Sequence, residues 1–468
     1  MVDILIKNAT IVTVNTAREV LFHGALAIKE DRIVGIGKTS DVEKEYPEAK
    51  KVIDAKGKVI FPGFINTHTH LFQTLLKGIG DDMGLEDWLT QMMFPATKYL
   101  TEEDTYQGAM LGCIEGMRSG VTTTVDYMHT HNRPGLTDGI VKAYKELGIR
   151  GIIGRGCMDV GAQFGSPQEL MEDVETVEKD LRRLFETYHN SENGRIKICV
   201  APSSMWSNSK EMLEMLWKVV KEYDSIFTVH ISENEFAREA TKIIHGKVDT
   251  ELLEELGIVG PNVLAVHCVA VTEEDIEMIK KYDIRVSHNV ISNMFLASGI
   301  APIPEMLQKG ITVGLGLDGA ASNNAQDMLE LMKFTALQHK VNKINPLAIS
   351  AEKVLEMATI DGARTLGLEK EIGSLEVGKK ADLVIFNPML SPKSIPLHNP
   401  VSTLVYSSDM SNIEGMIVDG NILMEDSKIL TIKNERELLE GAQKTANKLC
   451  ERAQVINKWE DHVWNSIY

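Results

Sequence analysis

Cysteine is scarce and scattered. Cys113, Cys157, Cys199, Cys268 and Cys450 are the only five in 468 residues, and none stand at C-x-x-C spacing. An odd, unclustered set excludes a disulfide framework and a cysteine zinc knuckle, and it fits a reducing compartment. A cytoplasmic protein is therefore expected. Long apolar runs are missing too. No stretch reaches the roughly 18 apolar residues that a membrane span requires. The opening Met1-Val2-Asp3-Ile4-Leu5-Ile6-Lys7 is charged early, so no secretory leader is expected. Positive charge is in deficit: 49 Lys and Arg against 67 Asp and Glu leave a net charge of −18. That balance speaks against nucleic acid or an anionic membrane as partner. It leaves a small-molecule substrate open. No Gly-x-Gly-x-x-Gly follows the first strand of the central region, which argues against a doubly wound dinucleotide-binding sheet.

What is present is an ordinary globular composition, 43% apolar and 25% charged, in a chain long enough for one large domain with satellites. The first sixty residues read as short strands separated by Asn, Gly and Asp turns, and the pattern returns near 381–386 and 415–420. Between them, eight apolar strand-like runs (64–67, 120–126, 150–154, 196–201, 226–230, 263–267, 284–287 and 312–316) alternate with helical stretches such as Glu211-Met212-Leu213-Glu214-Met215-Leu216-Trp217. Eight strand–helix units predict an α/β fold, a (β/α)₈ TIM-type barrel. The expected organisation is a small β-sandwich domain built from both termini (1–60 and 369–432), a catalytic barrel over 61–368, and a C-terminal helix within 433–468. That helix is read over 434–457. Asn434 and Glu437 form its capping box, and Leu439, Ala442, Ala446, Leu449, Ala453 and Ile456 form an apolar stripe. It is expected to pack on its own protomer, with a dimer seam as the alternative. A homo-oligomer is expected.

The chemistry-bearing residues stand at the strand ends. His68 and His70 are spaced i, i+2, which on a strand points both imidazoles to one face. Strand five ends in His230-Ile231-Ser232-Glu233, strand six in His267-Cys268, and strand eight in Gly316-Leu317-Asp318-Gly319. In a barrel these ends surround one pocket. The imidazoles of His68, His70 and His230 with the carboxylate of Asp318 suit one divalent metal. Zn²⁺ is expected, with Fe²⁺ as the alternative, and His267 is left to orient a water.

These motifs, with Ser287-His288-Asn289, Ser292-Asn293, Asp318 to Asn323 and Gly373-Ser374-Leu375-Glu376-Val377-Gly378-Lys379-Lys380-Ala381-Asp382-Leu383, resemble the amidohydrolase superfamily in its branch of N-heterocycle aminohydrolases. The resemblance covers essentially the whole chain. It is shared among triazine hydrolases (atrazine chlorohydrolase, melamine deaminase), methylthioadenosine/S-adenosylhomocysteine deaminases and 8-oxoguanine deaminase. It implies hydrolytic deamination, with Asp318 and His267 orienting the attacking water and Glu233 protonating a ring nitrogen. Two-metal members of the superfamily use a lysine ending strand four. Here that end reads Pro202-Ser203-Ser204, and Lys197 lies five residues back, so a single metal is implied. The missing strand-four His argues against a ribose contact. Gln73, after the His pair, could read a ring amide edge. Together these features predict a free oxopurine, pterin or aminotriazine. Trp88, Arg155, Ser203 and Ser292 complete the expected substrate contacts, while His129, His131 and His288 are given no metal role. The rival readings are a triazine hydrolase releasing chloride or an alkylamine, a methylthioadenosine/S-adenosylhomocysteine deaminase, and a non-catalytic barrel.

Overall fold

The structure, a computed structural model, describes residues 1–455. Its centre is a closed barrel of eight parallel strands: Phe64–Thr69, Val121–Met128, Arg150–Arg155, Ile196–Val200, Phe227–Ile231, Val263–His267, Arg285–His288 and Val313–Leu315. Each expected strand run overlaps one of these, in order. The barrel interior is packed by Ile65, Val125, Ile152, Cys199 and Leu264. The outer helices bury one face each. In Lys210–Tyr223, Ser209 caps the first turn by accepting from the Met212 amide, and Met212, Leu213, Leu216, Trp217 and Val220 turn inward at helical spacing.

Strands from both ends of the chain join in one nine-stranded mixed sheet. Its seam is Val59–Pro62 against Leu383–Phe386, antiparallel with Phe61 opposite Val384. The expected boundary after residue 60 thus falls inside a strand, and the N-terminal part of this sheet runs to Pro62. A core of Ile6, Ile11, Leu26, Ile28, Ile60 and Leu383 fills one face. The sheet is tied to the amino ends of the barrel strands by a buried ion cluster. Arg150, at the start of barrel strand three, reaches Asp382 at 3.0 Å and Asp419 at 3.7 Å.

The C-terminal helix spans Glu435–Ala453, and Asn434 caps it by accepting from the Glu437 amide. It packs on its own protomer, against Glu102–Arg118, with Arg118–Glu435 and Arg452–Asp104 ion pairs at its two ends. Ala442, Leu449 and Ala453 are buried as the stripe requires, but Leu439 is 45% exposed, because its neighbour Leu438 is the residue that packs on the core at this level. Ile456 and Asn457 lie outside the described residues. Among the described residues no helix is long and apolar enough to cross a membrane.

Candidate active site

Four strand ends deliver the expected cluster. The rings of His68 and His70 meet edge to face, centroids 4.7 Å apart. Asp318 Oδ1 lies 3.4 Å from His68 Nε2 and 3.5 Å from His70 Nε2. His70 and His230 bring their Nε2 atoms within 3.3 Å of each other. His267 Nε2 stands 3.7 Å from Asp318 Oδ2 and 3.8 Å from Glu233 Oε2. The far nitrogens are anchored. His70 Nδ1 donates to the Tyr127 carbonyl (2.5 Å), His230 Nδ1 to the Ser203 carbonyl (2.6 Å) and His267 Nδ1 to Asn293 Oδ1 (2.9 Å). With Nδ1 protonated, each ring presents an Nε2 lone pair to the centre. Two lone pairs facing each other at 3.3 Å have no proton to share between them, which is a geometry a cation resolves.

The backbone is held under strain at the same places. Ser232, His267, Cys268 and Asp318 all adopt left-handed φ, at 44°, 71°, 50° and 63°. Such torsions in non-glycine residues persist only where the surroundings over-determine them. At Asp318 they do: its amide donates to the His68 carbonyl, and its carbonyl accepts from Thr69 Oγ1 and Gln326 Nε2.

Electrostatics favour neutral imidazoles beside an ionised carboxylate. Burial lowers the pKa values of His68, His70 and His230. Burial alone would raise Asp318, but the imidazoles of His68, His267 and His70 outweigh it and hold the carboxyl well below its usual range. Glu233 moves the other way: burial raises it, Asp318 adds to the rise, and His267 opposes it. Both nitrogens of His68 are buried without a hydrogen-bond partner. Two overlapping triads, His68–His230–His267 and His68–His70–Asp318, keep their ligand atoms within 4.8 Å. Orphaned neutral imidazoles around a charged carboxylate are the donor set a divalent cation takes.

A cavity opens over this cluster. Gln73, Trp88, Ser203 and Glu233 line it, as do His70, His129, His230, His267 and Asp318. Gln73 is 1% exposed, and its Oε1 has no partner. A Cβ on residue 319 would fall 1.7 Å from that oxygen, so glycine at 319 is what leaves room for the Gln73 amide. Trp88 Nε1 donates to the Ala321 carbonyl, fixing the indole as a wall.

Two expected contacts need correction. Arg155 does not line the cavity. It is buried against Glu172 (2.6 Å) and Asp180 (3.2 Å) in the helical layer. Strand parity explains this: Ile152 faces the barrel interior, so Gly154 does too and Arg155 points outward. Ser292 is also absent from the lining. It sits one layer back, its Oγ bonded to that of Ser322, which does line the cavity. Lys197 bonds Asn190 on the outside of strand four. His131 is spent on Gly156 and Thr137, and His288 meets His339 at 3.1 Å. Sequence reasoning passed over Leu85, Leu89, Phe94, Trp206 and Leu296, which form the apolar outer wall, and Asp249 in its floor. Leu85, Leu89 and Phe94 come from one helical segment after the first barrel strand and the others from positions far along the chain, with no motif to mark them.

Residues 59–423 match the model of the Amidohydrolase family. The chain belongs to this family. Similar full-length amidohydrolases include the 5′-deoxyadenosine deaminase of Methanobrevibacter smithii, 39% identical over 455 residues (96% of this chain, 99% of the relative). The 5-methylthioadenosine/S-adenosylhomocysteine deaminase of Thermoanaerobacter pseudethanolicus is 36% identical over 452 residues (96% and 100%). Among solved structures, an adenosine deaminase from Xanthomonas campestris with bound zinc superposes with a TM-score of 0.89 at 25% identity, covering 96% of this chain and 99% of that one. The expected branch of N-heterocycle aminohydrolases is therefore borne out. This amidohydrolase is a hydrolase of carbon–nitrogen bonds other than peptide bonds.

Proposed function

We propose that this amidohydrolase hydrolyses the 6-amino group of an adenine nucleoside whose 5′ position carries no phosphate, releasing ammonia. The observation that carries the chemistry is Glu233: a carboxyl biased toward its acid form, in the same cavity as the His and Asp cluster and 3.8 Å from His267. The nucleoside is supported by relatives matched over nearly their whole length that are 5′-deoxyadenosine and 5-methylthioadenosine/S-adenosylhomocysteine deaminases. This moves the expected substrate from a free base to a nucleoside. The outer wall of Leu85, Leu89, Phe94, Trp206 and Leu296 suits a deoxy or thioether substituent, and among the described residues no Lys or Arg lines the cavity to meet a phosphate.

In this reading His68, His70, His230 and Asp318 would hold one divalent cation, Zn²⁺ first and Fe²⁺ as the alternative. When bound, such a cation supplies a nucleophile at neutral pH by lowering the pKa of water toward about 7. The chain's own residues do the rest. Asp318, held ionised, accepts the proton of the attacking water. His267, with Nδ1 fixed on Asn293, presents Nε2 between Asp318 and Glu233 and orients that water. Glu233 gives its proton to the ring nitrogen beside the reacting carbon, so that the ring electrons have somewhere to go. Asp318 then passes that proton to the departing amine, and the new hydroxyl on the ring carbon returns its proton to Glu233 as the carbonyl forms. The buried Gln73 amide reads the ring edge, and Trp88 covers its face.

A second reading, a free oxopurine, pterin or aminotriazine, is favoured by that same unpartnered Gln73 and by Ser203 where a ribose-binding His would stand. An ammonia-release screen separates the two. We expect kcat/KM for 5′-deoxyadenosine and methylthioadenosine to exceed those for guanine, 8-oxoguanine, pterins and melamine, with adenosine 5′-monophosphate among the poorest. Clear preference for the oxo bases would establish the second reading. Chloride release from chlorotriazines without deamination of any nucleoside would overturn both.

A further inference from the structure

Glu233 has an unusual freedom for a residue with so specific a task. Among the described residues no hydrogen bond holds its carboxyl, and His267 Nε2 stands 3.8 Å away. A group that must accept and release a proton within one turnover gains from being untied. Its aim must then come from its backbone.

That backbone is clamped from below. Ser232, the preceding residue, is held at φ 44°. Its amide and its hydroxyl both donate to Asp249 Oδ2, at 2.9 and 2.6 Å. The other oxygen, Asp249 Oδ1, accepts from Thr241 Oγ1 at 2.6 Å. Asp249 opens the helix Asp249–Glu255, and Thr241 lies on the helix Glu235–His245 that follows Glu233. One buried carboxylate thus pins the turn carrying Glu233 to the two helices that flank it. Ser232, Thr241 and Asp249 are each at most 2% exposed. The Ser232 carbonyl also accepts from the amides of Val269 and Ala270, so the same turn is joined to the loop carrying His267.

We infer that Asp249 is a positioning residue, which sets the direction of the Glu233 carboxyl by holding Ser232 in its left-handed torsion. It touches no reacting atom in this account and acts through Glu233. The inference rests on the reading of Glu233 as the proton carrier given above. A carboxylate is required because two donors converge on one oxygen while a third engages the other. An amide offers only one accepting oxygen, so Asp249→Asn must lose part of the clamp.

The test uses metal-loaded enzyme and 5′-deoxyadenosine, with Asp249→Ala, Asp249→Asn, Glu233→Gln and the double variant Glu233→Gln/Asp249→Ala. Asp249→Ala should lower kcat by about 10–100-fold, as loss of a supporting partner does, with KM and bound metal per chain unchanged. Asp249→Asn should fall between it and the parent. The double variant should be no slower than Glu233→Gln alone, because a clamp on an absent acid has nothing left to aim. A merely structural Asp249 would instead add its loss to that of Glu233→Gln, raise KM or shed metal, and any of these overturns the inference. Unchanged kcat in Asp249→Ala overturns it too, and if Glu233→Gln still collapses turnover, the proposed function survives that failure. If Glu233→Gln is near normal, both fall. Should Asp249→Ala not fold, Thr241→Val and Ser232→Ala each remove one bond of the clamp. A smaller drop in kcat at constant KM supports the inference, and an unchanged kcat in both contradicts it.

Discussion

Two buried charge clusters sit at opposite ends of this barrel, and they are built on opposite principles. At the amino ends of the strands, Arg150 lies between Asp382 and Asp419, and its guanidinium nitrogens reach Asp382 at 3.0 and 3.2 Å. Burial alone would lower the Arg150 pKa, but its carboxylate partners reverse that and raise it. At the carboxyl ends, both nitrogens of His68 are unpartnered, Gln73 Oε1 is unpartnered, and the backbone at Asp318 and His267 is strained. Burying polar groups without partners costs stability. The lower cluster sets cation against carboxylate, with Lys380 2.9 Å and Arg150 3.7 Å from Asp419 Oδ1, and fastens the terminal sheet to the barrel. The upper one leaves neutral imidazole nitrogens open for atoms the chain does not supply. That difference, more than the count of charges, marks which end is the active site.

Substitutions that break this contrast should act differently at the two ends. The largest effect is expected for Asp318→Ala, which removes the carboxylate that stands within 3.7 Å of His68, His70 and His267. Elemental analysis should find the divalent ion lost, and ammonia release should fall below detection. Retained metal with measurable turnover would break the assignment. Glu233→Gln comes next. It should keep the metal and lose about 10²–10⁴-fold in kcat, the usual contribution of a general acid–base group; near-normal deamination would move the acid elsewhere.

At the lower end the effect should be on stability alone. Asp382→Ala leaves Arg150 short of its principal partner, and breaking a buried pair this way costs about 3–5 kcal/mol. Denaturant unfolding should register that loss while kcat/KM of the folded enzyme stays at the parent value. A large fall in kcat/KM would erase the distinction between the two clusters. The smallest effect is expected for Gly319→Ala. A methyl group placed 1.7 Å from Gln73 Oε1 must displace that amide. Losing one hydrogen bond to the substrate ring, about 1 kcal/mol, should lower kcat/KM roughly fivefold. An unchanged value would mean that Gln73 does not read the ring.

Much of this is legible in the amino-acid sequence. The i, i+2 spacing of His68 and His70 carries its own geometry, because strand parity points both rings one way. The alternation of strand and helix signals is local, and it delivered the barrel and hence a shared pocket for His230, His267 and Asp318. Arg155 shows where this reasoning stops. Its position at a strand end is plain from the sequence, but whether a residue faces the interior or the helices depends on the strand's phase. Only the packing of Ile152 and Gly154 fixes that phase. Leu439 fails for a related reason: spacing does not say which of two adjacent leucines turns inward, and it is Leu438 that packs on the core. Asp249 gave no signal, since a carboxylate at a helix start looks like any other first-turn acid until Ser232 and Thr241 are folded around it.

The central claim is that the open cluster of His68, His70, His230 and Asp318 takes one divalent ion and that turnover depends on it. Stripping the protein with a chelator and titrating Zn²⁺ back, while following ammonia release from 5′-deoxyadenosine, tests it most directly. Activity should be absent at the start, rise in proportion to the ion added and level off at one ion per chain. Deamination by the stripped protein, or a rise that continues to two ions per chain, would contradict the account.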